Sequence, residues 1–380
     1  MERIYLDHAA TTPLANDVLE AMLQTNQEIM GNPSSTHFYG RKARSILDET
    51  RAKVAKHIKA QEKEIIFTSG GTEADNLAIL GTAKANQQNG RHIVTTAEEH
   101  HAVLHTMEYL ETEGFEITYL YPDTNGYINL NQVKNALRDD TILVSIMYVN
   151  NETGMTQDIQ SIAELLKEHQ AYFHTDAVQA FGMKKIDVKE LGIDLLSMSA
   201  HKINGPQGVG FLYCKQGVPL ENIQHGGEQE RKKRAGTENL LGIVGLEKAI
   251  ELAFETMDTK SRNLLNIKQT LLKTLEDYDI DYEINGTIED TVPSIVNLSF
   301  PDTQVEQLLM NFDLEGVAVS SGSACTAGTQ EPSHVLVAMY GEEDARIYNS
   351  IRFSFGVYTN QEDVIEAGKR IAKIVKRLQK

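Results

Sequence analysis

Between residues 64 and 214, short apolar runs alternate with longer stretches whose apolar residues recur at helical spacing. The runs are EIIFTS (64–69), HIVTTA (92–97), EITYLY (116–121), TILVSIM (141–147), AYFHTD (171–176), DLLSMS (194–199) and VGFLYC (209–214). Helical stretches such as EADNLAILGTAKANQQ, AVLHTMEYLETE and IQSIAELLKEHQ lie between several of them. Strands apolar at nearly every position are buried on both faces, so the pattern predicts an α/β fold with a mostly parallel central sheet flanked by helices. From about residue 258 the pattern changes to helices and strands with fewer polar strand ends, which predicts a smaller α+β domain. The expected division is a large domain over 16–257 and a small domain made of 1–15 and 258–380.

In such sheets ligands gather outside the carboxyl ends of the strands. Four runs end in chemically suggestive residues: TSGGTEADN after EIIF, EEHHAVL after HIVTTA, TDAVQ after AYFH, and AHK after DLLSMS. A parallel sheet brings all four to one edge. The glycines, Gly71 among them, and Thr72 stand at the start of a helix, where backbone amides form either a simple cap or a phosphate cradle. Lys202 stands at the lip of a buried strand, before the Gly205–Pro206 break. A lysine there is an exposed strand end or a covalent anchor for pyridoxal phosphate (PLP). Asp176 is a helix N-cap or the carboxylate that keeps a pyridine nitrogen protonated, and Gln179, about one helical turn on, could hydrogen-bond the same ring. One of His100 and His101 could stack on a flat cofactor and shuttle protons, or both are structural. Each signal alone is weak, but a phosphate cradle, histidine, aspartate and lysine in that order at successive strand ends form a coherent PLP site.

Composition narrows the function classes. A net charge of −18 argues against a broad nucleic-acid surface, and ERKKRAG (230–236) reads as a solvated face. No stretch approaches the ~18 apolar residues that span a bilayer. The N-terminal MERIYLDHAATTP lacks the basic and apolar regions of a secretory signal, so a cytoplasmic protein is expected. Two cysteines, Cys214 and Cys325, exclude a disulfide framework and a cysteine-based zinc site, and no metal is expected. Cys214 sits in a strand-like run and reads as a packed small hydrophobe. Cys325, in SSGSACTAGTQEPS, sits in small polar residues with little to pack, which predicts a mobile loop over about 320–334.

The wording of the motifs is more specific than their spacing. YLDHAATTP (5–13), GNPSS (31–35), FTSGGTEADNLAI (67–79), EHHAVL (99–104), VNNETG (149–154), HTDAVQ (174–179), SAHKINGPQGVG (199–210), HGGEQERKKRAGTEN (225–239), SSGSACT (320–326) and SIRFSFG (350–356) run the length of the chain. Together they resemble the NifS/IscS cysteine desulfurases, fold type I PLP enzymes of the class V aminotransferase group. The resemblance implies that Lys202 carries PLP covalently, Asp176 pairs with the ring nitrogen, Gln179 contacts the ring hydroxyl and His100 stacks on the ring. It implies a phosphate site of Gly71, Thr72, Ser199 and His201, completed by Thr237 from the partner subunit of a homodimer. Asn151 would lie near ring and substrate, Arg352 would grip the substrate carboxylate, and Cys325 would take the sulfur of L-cysteine as a persulfide, leaving L-alanine.

The loop wording is similar to the group with the longer loop, not the group adapted to selenocysteine. The chain stops at KRLQK (376–380), soon after its last helical stretch, whereas members feeding iron–sulfur scaffolds commonly extend further. A tRNA-thiolating enzyme (a 2-thiouridylase) is therefore expected as sulfur acceptor at least as readily as an iron–sulfur scaffold. The alternatives are a selenocysteine lyase, another class V aminotransferase, or a catalytically silent PLP-fold interaction protein. An intact Lys202, Asp176 and His100 set argues against the last.

Overall fold

The structure is a computed structural model that describes residues 2–322 and 332–379. A seven-stranded sheet runs in the order Ile65–Thr68, Gly210–Cys214, Leu195–Ser199, Tyr172–Asp176, Thr141–Ser145, His92–Thr96, Glu116–Leu120. Gly210–Cys214 is antiparallel to both its neighbours, and every other adjacent pair is parallel. Reversing one strand between Ile65–Thr68 and Leu195–Ser199 leaves those two pointing the same way. The four polar strand ends therefore share one edge, as the sequence pattern requires.

Strand period explains the continuous apolar runs. Ile65 and Phe67 face one core while Ile66 faces a second core on the opposite side. Phe211 and Tyr213 likewise oppose Leu212 and Cys214. Helices close both faces; Gly71–Asn86 and His101–Thr112 pack on the Ile66 side. The helix expected over 159–170 ends at Leu166, where the chain turns back toward the Tyr172–Asp176 strand.

A second, three-stranded antiparallel sheet orders Ser350–Ser354, Ile295–Ser299 and Glu283–Ile284. It shares a separate core with the Met257–Asp277 and Gln361–Leu378 helices, including Leu264, Phe300, Phe353 and Ile371, and that core takes in Ile4 and Leu6. The next residues cross between the sheets. Asp7 bridges to Ser354, and Thr12 N donates to His201 O at 2.9 Å. The N-terminal segment therefore ties the small sheet to the turn that carries Lys202.

The basic ERKKRAG segment is only partly a solvated face. Arg231 and Lys232 are exposed, but Glu230 is buried and forms two bonds with Arg51, at 2.6 and 2.7 Å. Glu230 also accepts from Phe67 N at 3.0 Å, and Arg51 donates to Ile65 O at 2.9 Å. Three consecutive non-glycine residues, Glu230, Arg231 and Lys232, sit at φ of 46°, 56° and 65°. That left-handed turn is intrinsically unfavourable and is held by the buried pair. Removing one partner strands a buried charge, so Arg51→Ala or Glu230→Ala is expected to lower stability by ~3–5 kcal/mol. Arg51→Met combined with Glu230→Leu should lose less. Urea unfolding midpoints of the three variants check this.

Candidate active site

The shared strand edge and the crossing N-terminal segment enclose a cavity. Its lining includes Gly71, Thr72, His100, Asn151, Asp176, Gln179, Ser199, His201, Lys202 and Arg352. Those are ten of the residues singled out by motif, drawn from positions 71 to 352. Thr237 is exposed and is not part of this lining, and Cys325 lies outside the described residues.

Lys202 ends a short 3₁₀ turn, Ala200–Lys202, directly after the Leu195–Ser199 strand. Its Nζ donates to Ala10 O at 2.8 Å and to Ala9 O. Gln179 Nε2 also donates to Ala9 O, at 2.9 Å, so the lysine and glutamine converge on the N-terminal segment. His201, beside the lysine, is lowered to about 4 by burial and by the Lys202 charge, which keeps its ring neutral. Its Nδ1 lies 3.1 Å from Thr11 Oγ1.

Asp176 is followed by a turn and not by the helix an N-cap would need. Its Oδ1 accepts from Val178 N at 2.8 Å. Burial pushes its carboxyl up, while the neighbouring His100, the Val178 amide and the Lys202 charge pull it back. A second buried carboxylate, Asp75, lines the same cavity and is pushed well up by burial and by repulsion from Asp176. Behind Asp176, His174 is held between Ser145 Oγ at 2.8 Å and Ser197 Oγ at 3.0 Å, and burial lowers it to about 3.

Of the paired histidines, His100 lines the cavity, whereas His101 packs against His105 and His334 at centroid distances of 5.0 and 4.5 Å. His100 also caps the His101–Thr112 helix, its Nδ1 accepting from Ala102 N at 3.1 Å. A neutral ring in that arrangement carries its proton on Nε2. Capping and site roles therefore coexist in one side chain.

The Gly71–Asn86 helix starts at the cavity. Gly70 has φ of +153°, and a Cβ on Gly71 would come within 2.9 Å of Val178 Cγ2. Both positions require glycine, which lets backbone amides approach a ligand directly. The first-turn amides of a helix have no intrahelical acceptor, and the dipole there favours an anion. The acidic Glu73 in that turn is paired with Arg234 at 2.6 and 3.1 Å, which limits its opposition to an anion.

Three buried polar atoms of the lining, Asp75 Oδ1, Asn151 Oδ1 and Arg352 Nε, have no hydrogen-bond partner among the described residues. Asp75 Oδ1 lies 3.6 Å from His174 Nε2, and the other two are the kind of unsatisfied buried group that a polar ligand in an adjoining cavity can account for. The set suits PLP: amides, Ser199 and His201 for a phosphate, the buried Asp176 carboxyl for a cationic ring nitrogen, and an amine for covalent attachment.

Ala9, Ala10 and Asp75 line the cavity and Asp7 pairs with Arg352 at its edge, but none of the four carried an assignment from sequence reasoning. Asp7 and the alanines lie in YLDHAATTP and Asp75 in FTSGGTEADNLAI, so the motif wording was the available signal. At the other extreme, Cys214 is a buried strand residue whose thiol burial raises to about 12.

The family pattern described as Aminotransferase class-V matches residues 4–366. A Bacillus subtilis (strain 168) protein named IscS 1 is 59% identical over 378 residues, covering 100% of both chains. The cysteine desulfurase IscS of Dictyoglomus turgidum (strain DSM 6724 / Z-1310) is 48% identical over 375 residues, covering 99% of this chain and 95% of the relative. A solved NifS-like protein superposes with a TM-score of 0.92 at 35% identity, covering 99% of this chain and 100% of the other.

Proposed function

This chain belongs to the class-V aminotransferase family, among its NifS/IscS cysteine desulfurases, and from that membership we propose how its own residues convert L-cysteine to L-alanine. The observation that carries the reading is the convergence of Lys202, Asp176, His100 and Arg352 on one cavity at the strand edge. The family depends on PLP, which when bound supplies an electron sink for bonds broken at the substrate α-carbon.

With PLP bound, Lys202 Nζ would be the covalent attachment point and Asp176 would offer an anionic partner to the ring nitrogen. His100 would stack on the ring, with a transferable proton at Nε2. Gln179 would contact the ring hydroxyl, and Asn151 would border ring and substrate. Gly71, Thr72, Ser199 and His201 hold the phosphate, and Arg352 takes the substrate carboxylate through paired N–H donors. The thiolate of Cys325 takes the substrate sulfur. The carbon–sulfur bond breaks with its electron pair left on carbon, which gains a proton to give L-alanine. Cys325 keeps the sulfur as a persulfide and passes it to an acceptor protein.

The decisive measurement follows alanine and protein-bound sulfur together after exposure to L-cysteine. Equal amounts of both support the reading. Amino-group transfer to a keto acid without alanine or bound sulfur would replace it with a class V aminotransferase activity.

The same reading takes 16–257 as the PLP-binding domain and 1–15 with 258–380 as the domain carrying the cysteine. It locates the enzyme in the cytoplasm and takes a tRNA 2-thiouridylase or an iron–sulfur scaffold as acceptor. Among the described residues no helix is long and apolar enough to cross a membrane. It also takes the enzyme as a homodimer with shared sites, which is consistent with Thr237 being exposed and away from the cavity of its own chain. Mixing inactive Lys202→Ala and Thr237→Ala subunits under exchange is then expected to restore activity at one of the two heterodimer sites. Sites built from a single chain would restore none. The activity of Thr237→Ala alone sets the baseline.

A further inference from the structure

We propose that Asp7 is a positioning residue for the substrate, because its carboxylate clamps the Arg352 guanidinium and leaves donors of that guanidinium for the substrate carboxylate. The inference rests on the reading of Arg352 as the carboxylate-binding group and extends it to a residue 345 positions away.

Asp7 Oδ1 accepts from Arg352 Nη2 at 2.8 Å, and Asp7 Oδ2 accepts from Ser320 Oγ at 2.8 Å. The two residues it holds are themselves paired, Arg352 N donating to Ser320 O at 2.7 Å. The backbone around Asp7 is also fixed. Ser354 N donates to Leu6 O at 2.8 Å, and Tyr5 Oη donates to Asp7 O at 2.9 Å. On the other arm of the fork, Arg352 Nη1 donates to Asn151 O at 3.0 Å.

A guanidinium has five N–H donors. Asp7 and the Asn151 carbonyl engage one Nη each, while Nε is buried without a partner among the described residues. Arg352 is only 1% exposed and is one of the residues lining the cavity, so its guanidinium is shielded from bulk water. Asp7 thus orients the fork without covering Nε. A second consequence is electrostatic: Asp7 gives the buried cation a partner before substrate arrives. Without Asp7, ordering of the long arginine side chain is deferred to the binding step, where it weakens substrate capture more than turnover. If Asp7 instead competed with the substrate for Arg352, its removal would tighten binding.

The test uses the PLP-loaded enzyme and two variants, the isosteric Asp7→Asn and the smaller Asp7→Ser. Both are expected to raise KM for L-cysteine about tenfold, in line with loss of a charged hydrogen bond, and to change kcat by less than about threefold. Inhibition by L-alanine, which keeps the carboxylate, should weaken by a similar factor. Inhibition by cysteamine, which has the amine and thiol but no carboxylate, should not change. An unchanged or lowered KM overturns the proposal, and so does equal weakening of cysteamine, which would signal a general disturbance of the cavity. Arg352→Lys, measured alongside, separates the two layers. If it leaves KM unchanged, the carboxylate-binding reading of Arg352 fails. If it raises KM while the Asp7 variants do not, only the role of Asp7 fails.

Discussion

Lys202→Ala is expected to reduce alanine formation by on the order of 10³-fold or more and to remove the visible absorbance of lysine-bound PLP. The effect follows from the lysine's position. Its 3₁₀ turn follows a fully buried strand, and the main-chain contacts to Ala9 and Ala10 hold its amine in the cavity with Asp176 and His201. Alanine fits the turn and removes only the amine, so the fold should survive while the covalent anchor and its proton-carrying nitrogen are lost. Absorbance spectra, PLP content and alanine assays on the purified variant check this. An unchanged spectrum with normal turnover would remove Lys202 from the mechanism.

The second large effect is expected at Cys325. Cys325→Ser should keep the fold, the cofactor and its colour, yet lose protein-bound sulfur and slow alanine formation by about 10³-fold or more. A serine hydroxyl cannot supply the thiolate that takes sulfur from the substrate. The chain contains its own control in Cys214, whose thiol burial in a central strand raises to about 12, leaving little thiolate near neutrality. Mass spectrometry of the wild type after brief exposure to L-cysteine should place the added sulfur on Cys325. Added sulfur on Cys214, or persistent bound sulfur in Cys325→Ser, would refute the assignment.

The amino-acid sequence determined the features that depend on short stretches of chain. Strands buried on both faces must be apolar at successive positions, so the runs stood out; all seven became strands of one sheet, six of them largely buried and the edge strand Glu116–Leu120 only partly so. The polar residues ending them are local as well, so Gly71, Asp176, Lys202 and one of the pair His100 and His101 could be named before any geometry was known. The motif wording chose His100 and added Asn151, Ser199, His201 and Arg352, which line the same cavity. Strand direction was not legible, because a buried antiparallel strand such as Gly210–Cys214 has the same apolar pattern as a parallel one. The dual role of His100 as cap and cavity residue needed the backbone path, and so did the turn after Asp176.

Tertiary structure alone chose the partners. No local pattern joins Asp7 to Arg352 and Ser320, Arg51 to Glu230, or Asp75 to the cavity shared with Asp176. A charged residue announces that it needs a partner when buried, but which partner it finds depends on how the sheets and the crossing N-terminal segment pack. Periodicity records which face a residue turns inward. The contacts between distant segments, and with them the electrostatics of the site, arise only when the chain has folded.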